Sequence, residues 1–262
     1  MGDRTTVLFA LLPVLIFGLV ALIEVVRPRR KLRFGRIARW RTGLLLVVTS
    51  RAAIWFLAWI VAVPAVALLA GSLGIGLFNV VALPFWAEAL ASFILLDFAM
   101  WLQHLLTHKV PVLWRLHKVH HADPDLDVST AIRFHPGEIV FSVFWKAGWV
   151  ILLGVSAPVF LAFELWLAAN AIFNHGNLDL PHGLDRILRY FLVTPDMHLV
   201  HHSVLMPEQQ RNYGFALTVW DRLFGTYAAE SSLGRAQQAI GLADQQDGRP
   251  TGIGYSLKLP LT

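Results

Sequence analysis

The sequence predicts an all-α integral membrane protein, a helical bundle with about four transmembrane or half-spanning helices and a helical cap on the cytoplasmic side. Of its 262 residues, 56% are hydrophobic and only 15% are charged, whereas soluble domains carry about 25% charged residues. Several apolar runs reach about 20 residues, the length that crosses a bilayer as a helix. The absence of cysteine from the sequence excludes disulfides, a thiolate nucleophile and cysteine-ligated zinc or iron–sulfur sites.

The first apolar run, residues 6–26, contains a single acid, Glu24, and no small-residue cleavage site. These features favour a retained span over a removable signal peptide. Residues 27–41 follow with eight basic residues and no acid. A basic segment can bind nucleic acid, but beside a membrane span the positive-inside rule explains it better. We therefore predict that this segment is a cytoplasmic loop and that residues 1–89 form an N-terminal anchor.

The next two crossings place the first histidines. Residues 52–71 are expected to cross outward, with Arg51 at the inner interface, where its long side chain can reach the headgroups. The uncharged residues 72–84 then lie at or beyond the outer face, and residues 85–106 return inward. This return brings His104 and His108 to the cytoplasmic boundary.

A helical hairpin is predicted further along the chain. Residues 139–153 and 158–173 are mainly apolar and are joined by a short turn, so the hairpin leaves and returns on one side of the membrane. It returns His175 to the other histidines. Lys146 and Glu164, one in each arm, favour either a shallow hairpin or charges held against protein.

All 11 histidines lie between His104 and His202. His104 and His108 are four residues apart on a helix face that also carries Asp97 and Trp101. Two further boxes have the spacing HxxHH, the later one after a Thr-Pro helix start. The two HxxHH boxes are His117, His120, His121 and His198, His201, His202.

The three boxes together supply eight imidazoles. Imidazole nitrogen suits iron, zinc, copper and nickel, and one ion takes roughly three to six ligands. Eight or nine ligands therefore predict two ions. A structural zinc site needs about four ligands and typically uses cysteine, so two redox ions that activate oxygen at the inner membrane surface are the favoured interpretation.

These motifs resemble those of the fatty acid hydroxylase and sterol desaturase superfamily, integral membrane di-iron enzymes with the pattern HxxxH, HxxHH, HxxHH. The resemblance covers roughly residues 90–227, the predicted catalytic domain, and leaves residues 228–262 as a polar tail without expected chemistry. It also extends to residues outside the boxes. These are Asp97, Arg133, His135, Pro136, Glu138, Asn174, His175, the run Asn212-Tyr213-Gly214, and residues 220–227.

The resemblance implies a ligand set and two iron ions, with zinc as a substitute in purified protein. His135 is either a tenth ligand or a residue that holds the turn before the hairpin, and His182 is expected at the surface. Asp97 and Asn174 are expected to orient ligand imidazoles through their second ring nitrogens. The implied ligands are His104, His108, His117, His120, His121, His175, His198, His201 and His202.

The resemblance further implies an O2-dependent oxidoreductase that hydroxylates a lipid, with desaturation as the runner-up. No dinucleotide or haem motif is present in the sequence, so electrons are expected from a separate cytoplasmic donor. No nucleic-acid partner is expected. Arginine outnumbers lysine 17 to 5, which favours a bacterial inner membrane. Aromatic side chains are expected either to line an apolar substrate slot or to serve in ordinary packing; they are Trp101, Phe134, Phe144, Trp145, Trp149, Phe163 and Trp166.

A histidine-rich metal transporter is the alternative from another class of protein. A transporter holds its ligands near the bilayer midplane, often on broken helices, whereas these boxes lie at the cytoplasmic ends of the predicted spans and beyond them. A catalytically idle lipid-binding relative is a third interpretation, and the intact boxes argue against it.

Overall fold

The computed structural model describes residues 3–57, 63–234 and 238–262, with side chains from residue 11 onward. Within these residues the regular structure is helical and no β-strand occurs, which confirms the predicted fold class. The helices are α1 (Asp3–Val26), α2 (Arg36–Leu57), α3 (Val63–Ser72), α4 (Leu77–Val80), α5 (Phe85–Lys109), α6 (Pro111–His121), α7 (Pro136–Leu153), α8 (Ala157–His175), α9 (His182–Leu188), α10 (Pro195–His201), α11 (Met206–Gln209), α12 (Val219–Leu223) and α13 (Ile253–Lys258), with short 3-10 turns at Val128–Ile132, Arg249–Thr251 and Leu259–Leu261.

Four segments of the described chain are long and apolar enough to cross a membrane: Val63–Val80, which holds α3 and α4, and the helices α5, α7 and α8. The apolar stretch Leu11–Val26 of α1 is shorter. The second crossing expected at residues 52–71 falls partly on residues 58–62, outside the described residues. The described part of α2 extends to Leu57, and the described chain resumes with α3 at Val63.

The hydrophobic core of the bundle lies between α3, α5, α7 and α8. Leu96 and Met100 of α5 pack there with Val150 of α7 and Phe163 of α8, and all four are nearly fully buried. The opposite faces of these helices carry exposed leucine, isoleucine and aromatic side chains. Such apolar outer faces are what lipid contact requires.

The predicted hairpin is formed by α7 and α8, which are joined at Gly154. This glycine has φ of 71°, a conformation that favours glycine because it has no Cβ. The Lys146 Nζ atom donates to both carboxylate oxygens of Glu164, at 2.9 and 2.7 Å. The two charges of the hairpin are therefore held against each other.

The basic segment 27–41 is only partly a loop, because α2 begins at Arg36. Its arginines bind the segment between α6 and α7. The buried Arg39 guanidinium contacts the carboxylates of Asp123, at 2.9 Å, and Asp127, at 2.5 Å, and Asp125 accepts from the backbone N–H of Arg33 at 2.9 Å. The segment expected to orient the chain in the membrane is thus also part of the folded cap.

The polar tail also packs on the cap. The Gln238 amide donates to the carbonyl oxygen of Leu199 in α10 at 2.7 Å. The buried Arg133 guanidinium donates to the carbonyl oxygen of Pro250 at 2.5 Å and to the Ser256 hydroxyl at 3.0 Å. These contacts close the cap around the ends of the histidine-bearing helices.

Candidate metal centre

The nine histidines that the resemblance implied as ligands come together at the ends of α5, α6, α8 and α10. All nine are buried, and they form two adjoining groups in which the candidate ligand atoms lie within 4.8 Å of one another. The five-histidine group is His104, His108, His117, His121 and His201, and the four-histidine group is His120, His175, His198 and His202.

The ring nitrogens within each group face one another. In the four-histidine group, the His175 Nε2 atom lies 3.1 Å from His120 Nε2 and 2.9 Å from His198 Nε2, which in turn lies 3.2 Å from His202 Nε2. Two nitrogens bound at right angles to one ion, each about 2.1 Å from it, would lie about 3 Å apart. The spacing of the nitrogens therefore fits ligands that converge on an ion.

Several of these buried nitrogens have no hydrogen-bond partner among the described residues. Both ring nitrogens of His108 and His121 are unpartnered, as is His201 Nε2. A buried polar atom without a partner is costly, and a metal ion would supply the missing interaction. The residues present thus fit a pair of metal sites.

Burial lowers the pKa of five imidazoles in the HxxHH boxes and so favours their neutral form. It lowers the pKa of His121 and His202 well below the usual value, and the neighbouring imidazoles lower it further. Burial lowers the pKa of His201 to about 3, although its hydrogen bond with the backbone of Arg211 acts to raise the pKa. A neutral imidazole keeps a lone pair on one nitrogen, which is the form that binds a metal.

Backbone carbonyl oxygens hold the outer nitrogens of several rings. The carbonyl of Tyr213 lies 2.8 Å from His104 Nδ1, that of Ala171 2.7 Å from His175 Nδ1, and that of Arg211 2.7 Å from His201 Nδ1. Because a carbonyl only accepts, each Nδ1 carries the proton and each Nε2 keeps its lone pair for the centre of the group.

Glu138 is the carboxylate that contacts a candidate ligand. Its Oε1 atom lies 2.6 Å from His117 Nδ1, and the residue is buried in the first turn of α7. In the sequence, Glu138 belongs to the motif after the second box, which by itself indicates no role for it. Its signal was its position three residues after His135.

The expected orienting role of Asp97 and Asn174 is not seen in the described structure. The Asp97 carboxylate accepts from Trp220 Nε1 at 2.9 Å, and the Asn174 amide donates to the carbonyl oxygen of Phe215 at 2.8 Å. Neither residue has a hydrogen bond to a histidine among the described contacts. Both instead fix residues 212–220, the segment that supplies the Tyr213 carbonyl to His104.

Asp221 also holds the segment that carries Tyr213. The sequence patterns did not indicate this role. Its carboxylate accepts from the backbone N–H groups of Tyr213, at 2.9 Å, and Gly214, at 2.8 Å, and from Trp101 Nε1 at 3.1 Å. Asn212 begins the turn with a φ of 53°, a value that asparagine tolerates. The Asn-Tyr-Gly run is the sequence signal for this turn.

A family model described as "Fatty acid hydroxylase" matches residues 89–226, more than half of the chain, and the match contains all nine clustered histidines. The chain belongs to the fatty acid hydroxylase family. This confirms the resemblance stated from the sequence.

Curated relatives match the same region. An ornithine lipid hydroxylase of Rhizobium tropici is 33% identical over 145 residues, which cover 55% of this chain and 43% of the relative. The human alkylglycerol monooxygenase is 29% identical over 146 residues, 54% of this chain and 31% of the relative. A cholesterol 25-hydroxylase-like protein of Danio rerio is 33% identical over 140 residues, 52% of this chain and 53% of the relative. The chain thus spans about a third to a half of the length of these relatives. No solved structure matches it.

Two further histidines of this family member lie outside the two groups. His135 caps the start of α7, where its Nδ1 atom accepts from the backbone N–H of Gly137 at 3.1 Å. The structure thus places His135 at the turn before the hairpin, the second of the two roles expected for it. His182 begins α9 and is exposed, as expected.

A cavity of about 620 Å³ lies beside the four-histidine group, between α2, α3, α7 and α8. Phe134 lines it and stacks on the ring of His120, with the ring centroids 4.5 Å apart and 7° between the planes. Among the seven aromatic residues considered for a substrate slot, only Phe134 lines this cavity. Trp101 and Phe163, for example, serve in packing, stacked on Phe224 at 4.6 Å and buried in the bundle core.

Proposed function

We propose that this chain is a non-haem di-iron oxidoreductase that uses O2 to hydroxylate a C–H bond of a membrane lipid. One observation carries the proposal: two adjoining groups of buried imidazoles lie in a membrane protein, and the four-histidine group borders a cavity between its apolar helices. Membership of the fatty acid hydroxylase family and relatives named as lipid hydroxylases or monooxygenases support it.

Each histidine group would hold one iron ion, and zinc can occupy the same nitrogens. Bound iron supplies the redox chemistry that reduces O2 and attacks an unactivated C–H bond. Hydroxylation converts C–H to C–OH with one oxygen atom of O2, and the other atom leaves as water after it takes up two electrons and two protons. The two electrons would come from a separate donor protein.

The chain's own residues would orient and enclose this chemistry. The carbonyls of Tyr213, Ala171 and Arg211 hold three rings by Nδ1, which directs Nε2 to the centre. All nine imidazoles are nearly excluded from solvent, and Phe134 separates the cavity from His120. Such enclosure keeps water from the reaction and holds the substrate carbon in one place.

The substrate would enter from the bilayer, because the cavity lies between helices whose outer faces are apolar. The named relatives include an ornithine lipid hydroxylase, an alkylglycerol monooxygenase and a cholesterol 25-hydroxylase-like protein. All three names refer to lipids. We place the metal centre on the cytoplasmic side of a bacterial inner membrane, because the basic residues 27–41 contact the cap that carries it.

Labelled oxygen gas tests the reaction directly. Protein loaded with ferrous iron is incubated with bacterial membrane lipids, a reductant and labelled O2, and the lipids are analysed by mass. A hydroxylated lipid that carries the label is expected. An unlabelled lipid with one new double bond would instead show a desaturase, and no oxygen consumption with any lipid class would refute the oxidase function.

Substitutions of one histidine in each group test the centre. His120→Ala in the four-histidine group and His201→Ala in the five-histidine group should each lower bound iron and abolish product formation. His182→Ala, at an exposed position, is the matched control and should keep both. Unchanged iron content in both variants would contradict the ligand assignment, and wild-type protein that binds one ion or none would contradict a di-iron centre.

A further inference from the structure

The cavity beside His120 also has charged residues in its lining. Its wall near the metal centre includes Phe134 and Ala131, whereas further along it Arg51, Lys146 and Glu164 also line it. Lys146 and Glu164 lie in the membrane-spanning helices α7 and α8, where charged side chains are rare and are a sign of function. Their place in this cavity therefore calls for a functional explanation.

The three charged residues lie at similar distances from the cap that carries the metal centre, measured along their helices. Lys146 is ten residues along α7 from Pro136, and Glu164 is eleven residues along α8 before His175, which correspond to about 15 and 16 Å of helix. Arg51 is twelve residues, or about 18 Å, beyond Arg39, whose guanidinium lies in the cap. The metal centre and the charged level are thus separated by about half of the hydrocarbon thickness of a bilayer.

The lysine and the glutamate satisfy each other. The ammonium group of Lys146 contacts both oxygens of Glu164, at 2.9 and 2.7 Å. This pair therefore needs no charged ligand. Side-chain exposure of 16% for Lys146 and 34% for Glu164 leaves both accessible from the cavity. Phe160, one helix turn farther from His175 than Glu164, also lines the cavity and is buried, as is Val63.

We propose that Lys146 and Glu164 form a polar floor that sets the length of the acyl chain accepted by the cavity. This inference rests on the proposed function for its substrate class, a lipid with a saturated acyl chain. Each methylene group that moves from water to an apolar wall strengthens binding. A methylene forced against the ion pair removes water from the charges without replacing its hydrogen bonds, and that cost cancels the gain.

Binding of fatty acids to the iron-loaded protein in detergent tests the floor without turnover. A fluorescent polyunsaturated fatty acid is displaced by saturated acids from dodecanoic to eicosanoic acid. For the wild-type protein, affinity should rise with chain length and then stop rising. For Lys146→Leu/Glu164→Leu, it should continue to rise beyond that length, about fourfold for each added methylene. The fatty acid also partitions into detergent micelles. This partition is the same for the wild-type and the double leucine protein at a given chain length, so it cancels when their affinities are compared.

Two other variants control this experiment. The charge exchange Lys146→Glu/Glu164→Lys keeps an ion pair and should keep the wild-type limit. Ala168→Trp, which narrows the cavity between the pair and the metal centre, should move the limit to shorter chains and provides a test if the double leucine variant does not fold. Native iron content shows that a variant has folded.

Three results would overturn the polar floor. They are an affinity that rises through the whole series in the wild-type protein, an unchanged limit in folded double leucine protein, and loss of the limit after the charge exchange. Failure of the polar floor can be told apart from failure of the proposed function. A chain-length limit without any oxidised lipid would refute the oxidation and keep the floor, whereas oxidised lipid without a limit would refute only the floor.

Discussion

His135 is a helix cap at the edge of the metal centre. Because its Nδ1 atom accepts from the N–H of Gly137, its replacement by alanine leaves that donor without its partner. His135→Ala should lower the free energy of unfolding by about 1 kcal/mol and leave the iron content unchanged. Thermal unfolding in detergent and metal analysis measure the two effects. His135→Asn, which restores a cap, should recover the stability, and a loss of iron in the alanine variant would instead make His135 a ligand.

Glu138 orients His117 from outside the centre. Removal of such a partner lowers metal affinity about 10- to 100-fold, so Glu138→Ala should weaken iron binding to that extent. Glu138→Gln keeps an oxygen that accepts from Nδ1 and should lose less. Competition with a chelator measures the affinity, and Glu88→Gln at the opposite end of α5 is the matched control. Equal affinity in Glu138→Ala and the wild-type protein would mean that the contact has no role in binding.

At the residue scale, the spacing of the boxes predicts which imidazoles come together but not what holds them. His104 and His108 share a helix face because they are four residues apart, and this geometry follows from the sequence. The carbonyls of Tyr213 and Arg211 leave no trace in the sequence, since every residue has a carbonyl. The sequence therefore points to two side chains, Asp97 and Asn174, for a role that backbone carbonyls fill at His104, His175 and His201.

Gly76, before α4, contacts Gly154, at the end of α7. Gly76, with φ of 104°, precedes α4, and a Cβ on it would lie 2.3 Å from the backbone nitrogen of Gly154. Gly154→Ala should therefore lower the unfolding temperature, because of both its positive φ and its own contact with Asn79. Gly148→Ala in the same helix meets open space and should stabilise α7 by up to about 1 kcal/mol. Equal unfolding temperatures for the two variants would contradict this account.

At the scale of elements, hydropathy predicted the hairpin arms well because short turns with glycine or proline bound them. The crossing predicted at residues 52–71 stays a prediction, because residues 58–62 lie outside the described part of the chain. The helix start at Arg36 was missed, because eight positive charges mark a membrane boundary more strongly than they mark a helix. The ion pairs of Arg39 stabilise that first turn, and they are tertiary contacts.

For the whole molecule, removal of the metal should be strongly destabilising. A ligand that binds only the folded state adds about 4 kcal/mol when it is present at a thousand times its dissociation constant. Without metal, the unpartnered nitrogens of His108 and His121 have no such compensation. A chelator should therefore lower the unfolding temperature, and added iron or zinc should restore it. An unfolding temperature that does not respond to chelator or metal would contradict a metal-bound core.

The orientation of the whole molecule can be measured because the sequence contains no cysteine. Single cysteines at the exposed positions Lys31, Arg115 and Ser72 can be labelled in intact cells with a maleimide that does not cross the inner membrane. Lys31→Cys and Arg115→Cys should be protected until the membrane is opened, because both lie on the metal side. Ser72→Cys should react at once. Labelling of Lys31→Cys or Arg115→Cys in intact cells would reverse the topology.

Arg39 of the basic segment combines a proposed role in insertion with a role in the folded cap. Positive charge there is expected to direct the chain during insertion. The Arg39 side chain also neutralises Asp123 and Asp127 in the cap, while the backbone N–H of Arg33 donates to Asp125. A substitution that removes Arg39 leaves two buried carboxylates without their cation. Loss of Arg39 should therefore weaken the proposed insertion signal and the folded cap together. One side chain thus links the proposed direction of insertion to the stability of the folded interior.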